Sequence, residues 1–326
     1  MFSLFVVGFI KTPFRERNGT PRQSLLAPAV RSTLKILPQW HGISSLDGLE
    51  SFSHCWVVFL FDRNTNEAKR SGSESMVQTL DPRLGEPTSA EKSYSDAPTA
   101  GLVTDTVKQP VMSIPAKVSP PRLGGKKVGL FATRTPHRPN PIGLSLARIE
   151  RLDLLTGTLH LSGLDLCDGT AVLDIKPYHP QDRIESAKFP EWVLADTRTN
   201  VATEASMNEL EFASWVSDDA ASALSMIEFK PSVNSIVRIP KSVILKIRGW
   251  QPNSQFYSAT GHRDLYALVL SVAQVLACEI RPVHVRKQRS DQTFGLWFDC
   301  FNFLFRTNAD SVDVADVELW IDAKQR

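Results

Sequence analysis

The residues best suited to bind a charged ligand lie in one short segment, residues 129–145 (GLFATRTPHRPNPIGLS), which we call the proline loop. Pro136, Pro139 and Pro141 stiffen it, because each proline holds φ at about −65° and removes a backbone donor. The loop also carries cationic and amide side chains, namely Arg134, His137, Arg138 and Asn140. Rigid display of such groups favours recognition of a polar or anionic ligand. The alternative is a plain proline-rich connector with solvated charges.

A second candidate segment is residues 165–168 (DLCD), which follows a predicted strand and precedes Gly169. Its carboxylates, Asp165 and Asp168, could accept hydrogen bonds from hydroxyl or ammonium groups of a ligand. The alternative is a turn in which Asp168 and Gly169 only reverse the chain. The residues alone do not decide between these two interpretations.

The net charge of the chain is only +2, but its distribution is uneven. Residues 106–149 contain no Asp or Glu. The basic residues of this block are Lys108, Lys117, Arg122, Lys126, Lys127, Arg134, Arg138 and Arg148. A local positive field indicates a polyanionic partner, most simply RNA phosphates. The alternative is that folding scatters these charges over different faces.

Composition bounds the class of protein. With 326 residues, two domains are the natural expectation, and a hydrophobic content of 42% is enough for substantial cores. We find no apolar run that could span a membrane, and we expect no membrane partner. The four cysteines are scattered without zinc-motif spacing, so we expect no metal and a reducing compartment such as the cytoplasm.

The first half of the chain predicts a β-barrel. Short apolar segments separated by Gly- or Asp-containing turns are typical of strands. We predict them at residues 2–10, 54–61, 127–134, 144–153, 157–163 and 170–176. Residues 63–116 are rich in Ser, Thr, Pro and charge, and predict a disordered or loosely attached insertion. No strand leads into a Gly-x-Gly-x-x-Gly segment, so a Rossmann fold has no support.

The second half predicts a small α+β domain. After a linker at residues 179–203, an irregular apolar stripe predicts a helix at 204–227, and a regular stripe predicts another at 262–277. Strands are predicted at 293–306 and 311–321. The fold class is therefore mainly β, with a barrel domain at residues 1–185 and an α+β domain at residues 204–326.

Five ordered blocks resemble the TrmO (TsaA-like) family. They are residues 8–14 (GFIKTPF) with 20–23 (TPRQ), 48–56 (GLESFSHCW), 120–125 (PPRLGG) leading into the proline loop, the proline loop itself, and 164–170 (LDLCDGT) with 174–178 (DIKPY). The resemblance implies a β-barrel methyltransferase that uses S-adenosylmethionine to methylate N6-threonylcarbamoyladenosine at tRNA position 37, next to the anticodon. It also implies a homodimer with the cofactor site near the interface.

The resemblance implies a set of cofactor-binding residues. They are Thr12, Pro13, Phe14, Ser53, His54, Arg134, Leu144, Asp165, Leu166, Cys167 and Asp168. We expect Arg134 to hold the methionine carboxylate, because a guanidinium can bind it with two hydrogen bonds. We expect Phe14 to offer an aromatic face to the adenine and Leu144 an apolar wall.

For the substrate, the threonyl carboxylate needs a cation, which Arg138 or Lys176 could supply, and Lys126 and Lys127 could contact tRNA phosphates. The acceptor nitrogen belongs to a urea and is poorly nucleophilic, so a base should help. Asp165 and Asp174 are the candidates, and the sequence does not choose between them.

The chain departs from the family pattern at two places. Asp62 stands where the family usually has His, and residues 279–282 (EIRP), which contain Arg281, differ from the family's Asp-Pro-Arg-Pro at two positions. The long insertion and the altered residues 279–282 leave open the alternative of a noncatalytic RNA-binding or adaptor protein, and the sequence also leaves open a methyltransferase with another acceptor.

Overall fold

The computed structural model describes most of the chain. The described residues are 4–62, 115–120, 123, 125–197, 204–217, 225–230, 236–259, 261–278, 280–281, 292–308 and 310–320. The predicted insertion at residues 63–116 therefore lies outside the described residues, except for its last two positions. Two of the eight basic residues of the 106–149 block, Lys108 and Arg122, also lie outside them.

Six strands of the first half close an antiparallel barrel. The strands of this half are β1 (Gly8–Lys11), β2 (Arg31–Ile36), β3 (His54–Leu60), β4 (Lys117–Val118), β5 (Val128–Gly129), β6 (Ile142–Asp153), β7 (Thr158–Ser162) and β8 (Ala171–Pro177). The barrel order is β1-β2-β7-β6-β3-β8, and β4 pairs only with β5. The predicted barrel is confirmed.

Alternation along β3 determines which of its side chains fill the barrel. On β3 the side chains of Cys55, Val57 and Phe59 are buried inside, while the intervening residues face outward. Gly143 of β6 lies against Phe59, and a Cβ at residue 143 would come within 2.1 Å of the Phe59 ring. A glycine is therefore required where the proline loop enters β6.

The second half forms a six-stranded sheet with helices. Its elements are α1 (Glu191–Thr197), β9 (Glu204–Ala205), α2 (Glu209–Ser217), β10 (Met226–Lys230), β11 (Ile236–Pro240), α3 (Lys241–Trp250), α4 (His262–Ala277), β12 (Phe294–Phe298), β13 (Phe301–Thr307) and β14 (Ser311–Leu319). The strand order is β12-β13-β14-β11-β10-β9. Helices α2, α3 and α4 pack together, and α3 and α4 contact the sheet. The predicted α+β region is present.

Some predicted elements were wrong and one matched its predicted bounds. Helix α4 spans the predicted residues. The helix predicted at 204–227 is instead the short α2, which lies between β9 and β10, and the apolar Ile227 and Phe229 alternate inward on β10. The strand predicted at 293–306 is the hairpin β12–β13. The strand predicted at 127–134 ends at Gly129, because the following residues form a 3₁₀ turn that exposes Phe131.

The two halves have separate cores, but the second core takes residues from the first half. Phe14, Ala27 and Val30, which lie between β1 and β2, are buried among the apolar side chains of the α+β region. Arg31 also bonds to Asp264 of α4, with Nη2 and Oδ1 2.9 Å apart. The segment between β1 and β2 therefore fastens the barrel to the α+β region.

Candidate functional site

The proline loop is braced by its own hydrogen bonds. The Thr133 hydroxyl donates to the Leu130 carbonyl at 2.7 Å, and Arg138 Nη1 donates to the Thr133 carbonyl at 2.7 Å. The Arg138 guanidinium also lies 5.4 Å from the centre of the Phe131 ring. Arg138 thus anchors the loop, whereas Arg134 is exposed at its surface.

Residues 165–168 are joined to the end of β1. The Thr12 N–H donates to Asp168 Oδ1 at 3.1 Å, and the Thr12 hydroxyl donates to the Leu166 carbonyl at 2.9 Å. In return, the Asp168 N–H donates to the Phe14 carbonyl at 2.7 Å. Two segments 150 residues apart in the chain therefore form one rigid unit, with the Asp168 side chain 34% exposed beside Lys11.

Asp165 connects this unit to the proline loop. The Ser145 hydroxyl donates to Asp165 Oδ1 at 2.5 Å. Burial raises the pKa of the Asp165 carboxyl above its ordinary value, although the Ser145 hydrogen bond and the nearby positive charge of Arg134 act in the opposite direction. We call Thr12–Phe14, Arg134, Ser145 and residues 165–168 the loop cluster. Ser145 was not predicted as a site residue. A serine at an inward-facing position of an apolar strand could have indicated it, because a buried hydroxyl needs a hydrogen-bond partner.

Other predicted residues lie on the outer face of the barrel. The Ser53 hydroxyl forms a hydrogen bond with His54 Nδ1 at 2.9 Å, and the His54 ring stands edge-on to Tyr178 at 6.3 Å. The barrel strands place these residues at the beginning of β3, where His54 pairs with Arg148.

Leu144, Asp174 and Lys176 share that outer face. Leu144 and Asp174 flank Val58 on either side of β3, and Leu144 is 52% exposed. Lys176 Nζ lies 2.7 Å from Asp174 Oδ2. We call Ser53, His54, Leu144, Asp174 and Lys176 the outer-face group. Within the described parts of the chain, no hydrogen bond or ion pair joins the outer-face group to the loop cluster.

The prediction for the Phe14 side chain was wrong. Its ring is 1% exposed and belongs to the second core, where its centre lies 5.8 Å from the centre of the Phe298 ring. It therefore offers no aromatic face to a ligand. The backbone groups around it are also engaged, since the Pro13 carbonyl accepts the Asp299 N–H at 2.8 Å. The Leu166 side chain is likewise buried, in the barrel core.

A cleft opens beside the loop cluster at the junction of the two halves. Its volume is about 200 Å³. It is lined by Thr12, Pro13, Arg15, Asp168, Gln255, Phe256 and Asp299. The last three come from the α+β region, and no local sequence pattern pointed to them.

The remaining predicted residues lie elsewhere. Lys126 and Lys127 are exposed in the turn between β4 and β5. Arg281 belongs to the α+β region, where its Nη1 donates to the Thr307 hydroxyl at 2.6 Å and its guanidinium lies 5.4 Å from the Phe294 ring centre.

Burial governs the state of three of the four cysteine thiols. Burial raises the pKa of Cys55, Cys278 and Cys300 to about 12, which keeps these thiols protonated at neutral pH. A search of the described residues finds no group of three or more His, Cys, Asp or Glu side chains that could hold a metal ion. The same part of the chain contains no helix with the length and hydropathy needed to cross a bilayer.

The closed six-stranded antiparallel barrel places the first half of the chain in the class of β-barrel domains. Within that class, the tRNA-methyltransferase O N-terminal domain matches residues 9–86 and 102–182. This chain belongs to the TrmO family. The gap within this match, residues 87–101, lies inside the predicted insertion.

Individual relatives agree with this family. A Pseudomonas aeruginosa protein named putative S-adenosylmethionine-dependent methyltransferase RcsF is 40% identical over 179 residues, which are 55% of this chain and 57% of the relative. The Escherichia coli (strain K12) tRNA (adenine(37)-N6)-methyltransferase is 25% identical over 97% of this chain and 98% of its own length. A crystal structure of TrmO from P. aeruginosa superposes with a TM-score of 0.55 at 25% identity, covering 98% of this chain and 97% of that one. The chain spans about half the length of some curated relatives that it matches.

Proposed function

We propose that this chain uses S-adenosylmethionine to methylate the N6 nitrogen of N6-threonylcarbamoyladenosine at tRNA position 37. The observation that carries the proposal is the loop cluster, which joins Arg134, Asp165 and Asp168 in the barrel that matches the family. The name of the E. coli relative, which aligns along nearly its whole length, supports the same reaction. Relatives named as methyltransferases do not favour the alternative of a noncatalytic RNA-binding protein.

The residues of the loop cluster fit the cofactor. Arg134 is an exposed guanidinium that can hold a carboxylate bidentately, and the partly exposed Asp168 can accept from a hydroxyl or ammonium group. This combination of one cation with carboxylates suits a zwitterionic amino acid. When bound, S-adenosylmethionine supplies an electrophilic methyl group on a sulfonium, so the chain's main task is to orient the acceptor in line with it.

Asp165 is the better candidate for the base. Its pKa is raised by burial, which increases its affinity for the proton that N6 must lose. Asp174 lies on the outer face, where Lys176 forms an ion pair with it at 2.7 Å. We propose that Asp165 accepts the N6 proton as the methyl group is transferred.

Arg138 is the better candidate for the threonyl carboxylate. It lies in the same loop as Arg134 and uses only one of its nitrogens, Nη1, to hold the Thr133 carbonyl. Lys176 is the alternative, but it is already paired with Asp174. A guanidinium that is half-buried in a braced loop loses little further entropy when it binds a carboxylate.

The test is single-turnover methylation of matched tRNAs with and without the threonylcarbamoyl group. We expect the modified tRNA to react much faster, because a cation left unpaired by the plain substrate costs about 2–5 kcal/mol. Arg138→Met should lower this rate far more than it lowers cofactor affinity. Equal rates on both tRNAs would point to another acceptor.

We also propose that a homodimer completes the site. Ser53, His54 and Leu144 lie on the outer face of the barrel, where Leu144 is 52% exposed and open to contact with a second copy. Co-expression of Arg134→Ala with His54→Ala tests this, because mixed dimers would regain one intact site while each single variant stays impaired. Activity that never exceeds the mean of the two variants would argue against a shared site.

A cytoplasmic location belongs to the same proposal. The four cysteines are free, as a reducing compartment requires, and cytoplasmic tRNA is the substrate that we propose. Fractionation of cells that express the full chain would test this location, and recovery of the protein outside the cytoplasm would contradict it.

A further inference from the structure

Asp299 has an unusual backbone conformation. It is the first residue of the two-residue turn between β12 and β13, where Phe298 pairs with Phe301. Its φ is 58°, in the left-handed region that glycine favours at this position of a hairpin. A residue with a side chain persists there only when its surroundings hold it, and such residues cluster at functional sites.

The side chain of Asp299 holds one wall of the cleft. Its carboxylate is 5% exposed and accepts hydrogen bonds from the Ser254 hydroxyl at 2.5 Å and the Gln255 N–H at 3.0 Å. Gln255 and Phe256 line the cleft beside the loop cluster. The carboxylate therefore fixes the turn that supplies these two lining residues.

The backbone of Asp299 holds the opposite wall. Its N–H donates to the Pro13 carbonyl at 2.8 Å, and its carbonyl accepts from Arg15 Nε at 2.8 Å. Pro13 follows Thr12, whose N–H donates to Asp168. Two hydrogen bonds, joined by the Thr12–Pro13 peptide, thus link Asp299 of the α+β region to Asp168 of the loop cluster.

We propose that Asp299 is a positioning residue for the cofactor-binding segment, so that the α+β region takes part in binding S-adenosylmethionine without contacting it through this side chain. The inference rests on the proposed function. Asp299 combines a conformation that suits glycine with hydrogen bonds to Ser254 and Gln255 on one wall of the cleft and to Pro13 and Arg15 on the other. A hairpin turn that served only to reverse the chain would need neither the carboxylate nor the contact with Pro13.

The experiment uses the full chain and compares Asp299→Ala with Asp264→Ala. Asp264 is a matched control, because it also joins the α+β region to the barrel, through Arg31 at 2.9 Å, but does not bond to Thr12–Phe14. We expect Asp299→Ala to weaken S-adenosylmethionine binding about tenfold, the effect of losing about one hydrogen bond. Asp264→Ala should change it less than about twofold. Calorimetry measures both affinities.

A second readout follows the segment itself. Hydrogen exchange of the peptide that covers residues 8–18 should become faster in Asp299→Ala and stay unchanged in Asp264→Ala. Asp299→Asn should recover most of the affinity, since asparagine tolerates the left-handed region and its carbonyl can still accept. If Asp299→Ala does not fold, Asp299→Gly replaces it, because glycine keeps the backbone conformation and removes only the carboxylate.

Three results would overturn the inference: wild-type affinity in a folded Asp299→Ala or Asp299→Gly variant, equal losses for Asp299 and Asp264, or unchanged exchange in residues 8–18. Failure of the wild-type chain to bind S-adenosylmethionine would instead count against the proposed function. In that case the exchange data still decide whether Asp299 positions the segment.

Discussion

Arg134 and Asp165 bring opposite charges together where the proline loop meets residues 165–168. Arg134 is exposed and available, whereas Asp165 is held by Ser145 and has its pKa raised by burial. Their types were visible in the sequence, and the resemblance implied their roles. Their proximity, and the part played by Ser145, depended on the fold.

The first prediction concerns Arg134. Arg134→Ala should weaken S-adenosylmethionine binding by about 1.5–3 kcal/mol, because a hydrogen bond to a charged group is lost. Isothermal titration calorimetry measures the change. Arg183→Ala is the control, since Arg183 is 74% exposed and its ion-pair partner among the described residues, Glu185, is 80% exposed. Unchanged affinity in folded Arg134→Ala would remove this residue from the site.

The second prediction concerns the pH dependence of stability. Asp165 in the folded chain binds its proton more tightly than in the unfolded chain, so its contribution to stability falls as pH rises from about its ordinary pKa of 3.8 through the raised value. Asp165→Asn does not lose stability in this way, because asparagine does not ionise. The free energy of unfolding of the variant, relative to that of the wild type, should therefore increase with pH across that window. Urea unfolding at a series of pH values measures it, and a constant difference would contradict the raised pKa.

At the scale of elements, the strands provide a frame and the loops carry the chemistry. The hairpin of β4 and β5 presents Lys126 and Lys127 in its turn, and the proline loop follows directly. Both belong to the block without acidic residues that predicts an RNA-binding surface. The structure leaves both lysines exposed, as contact with phosphates requires.

The third prediction tests this hairpin. Replacing Lys126 and Lys127 with Gln should weaken tRNA binding and reduce the slope of log affinity against log salt by about one unit per lost phosphate contact. Cofactor affinity should not change. Lys246→Gln is the control, because Lys246 pairs with Asp316 in the α+β region. A slope that stays the same in the double variant would make the basic block an ordinary solvated surface.

At the scale of the whole molecule, the two halves are not independent. Phe14 follows β1 in the barrel half, but its ring is buried in the second core against Phe298. The second hydrophobic core therefore contains residues from both sides of the proposed domain boundary, which lies between residues 185 and 204. A barrel isolated at residue 185 would expose this ring.

The fourth prediction follows from that packing. Phe14→Ala in the full chain should lower the free energy of unfolding by about 3–5 kcal/mol, the cost of removing a buried aromatic ring. It should also speed hydrogen exchange in α4, which belongs to the second core. Phe5→Ala is the control, since Phe5 is 65% exposed and its loss should cost about 0.5 kcal/mol or less. Similar small losses for both variants would show that Phe14 does not fasten the two halves.

The sequence by itself determined the elements with clear periodicity and the residue types of the site. Alternation predicted the barrel strands, a regular stripe predicted α4, and prolines beside cationic groups marked the proline loop. The prediction from sequence failed at residues 204–227, where one helix was predicted and the structure has strand β9, the short helix α2 and the start of strand β10. Short apolar segments fit the helical and the strand period equally well.

Only the tertiary structure decided which residues meet. Ser145 bonds to Asp165, Thr12 to Asp168 and Asp299 to Pro13, each across a long separation in the chain. It also buried the Phe14 ring and placed Ser53, His54, Leu144, Asp174 and Lys176 on the outer face of the barrel. Periodicity records which face of an element is apolar, but the partner of that face is chosen by packing between distant segments, which no local pattern encodes.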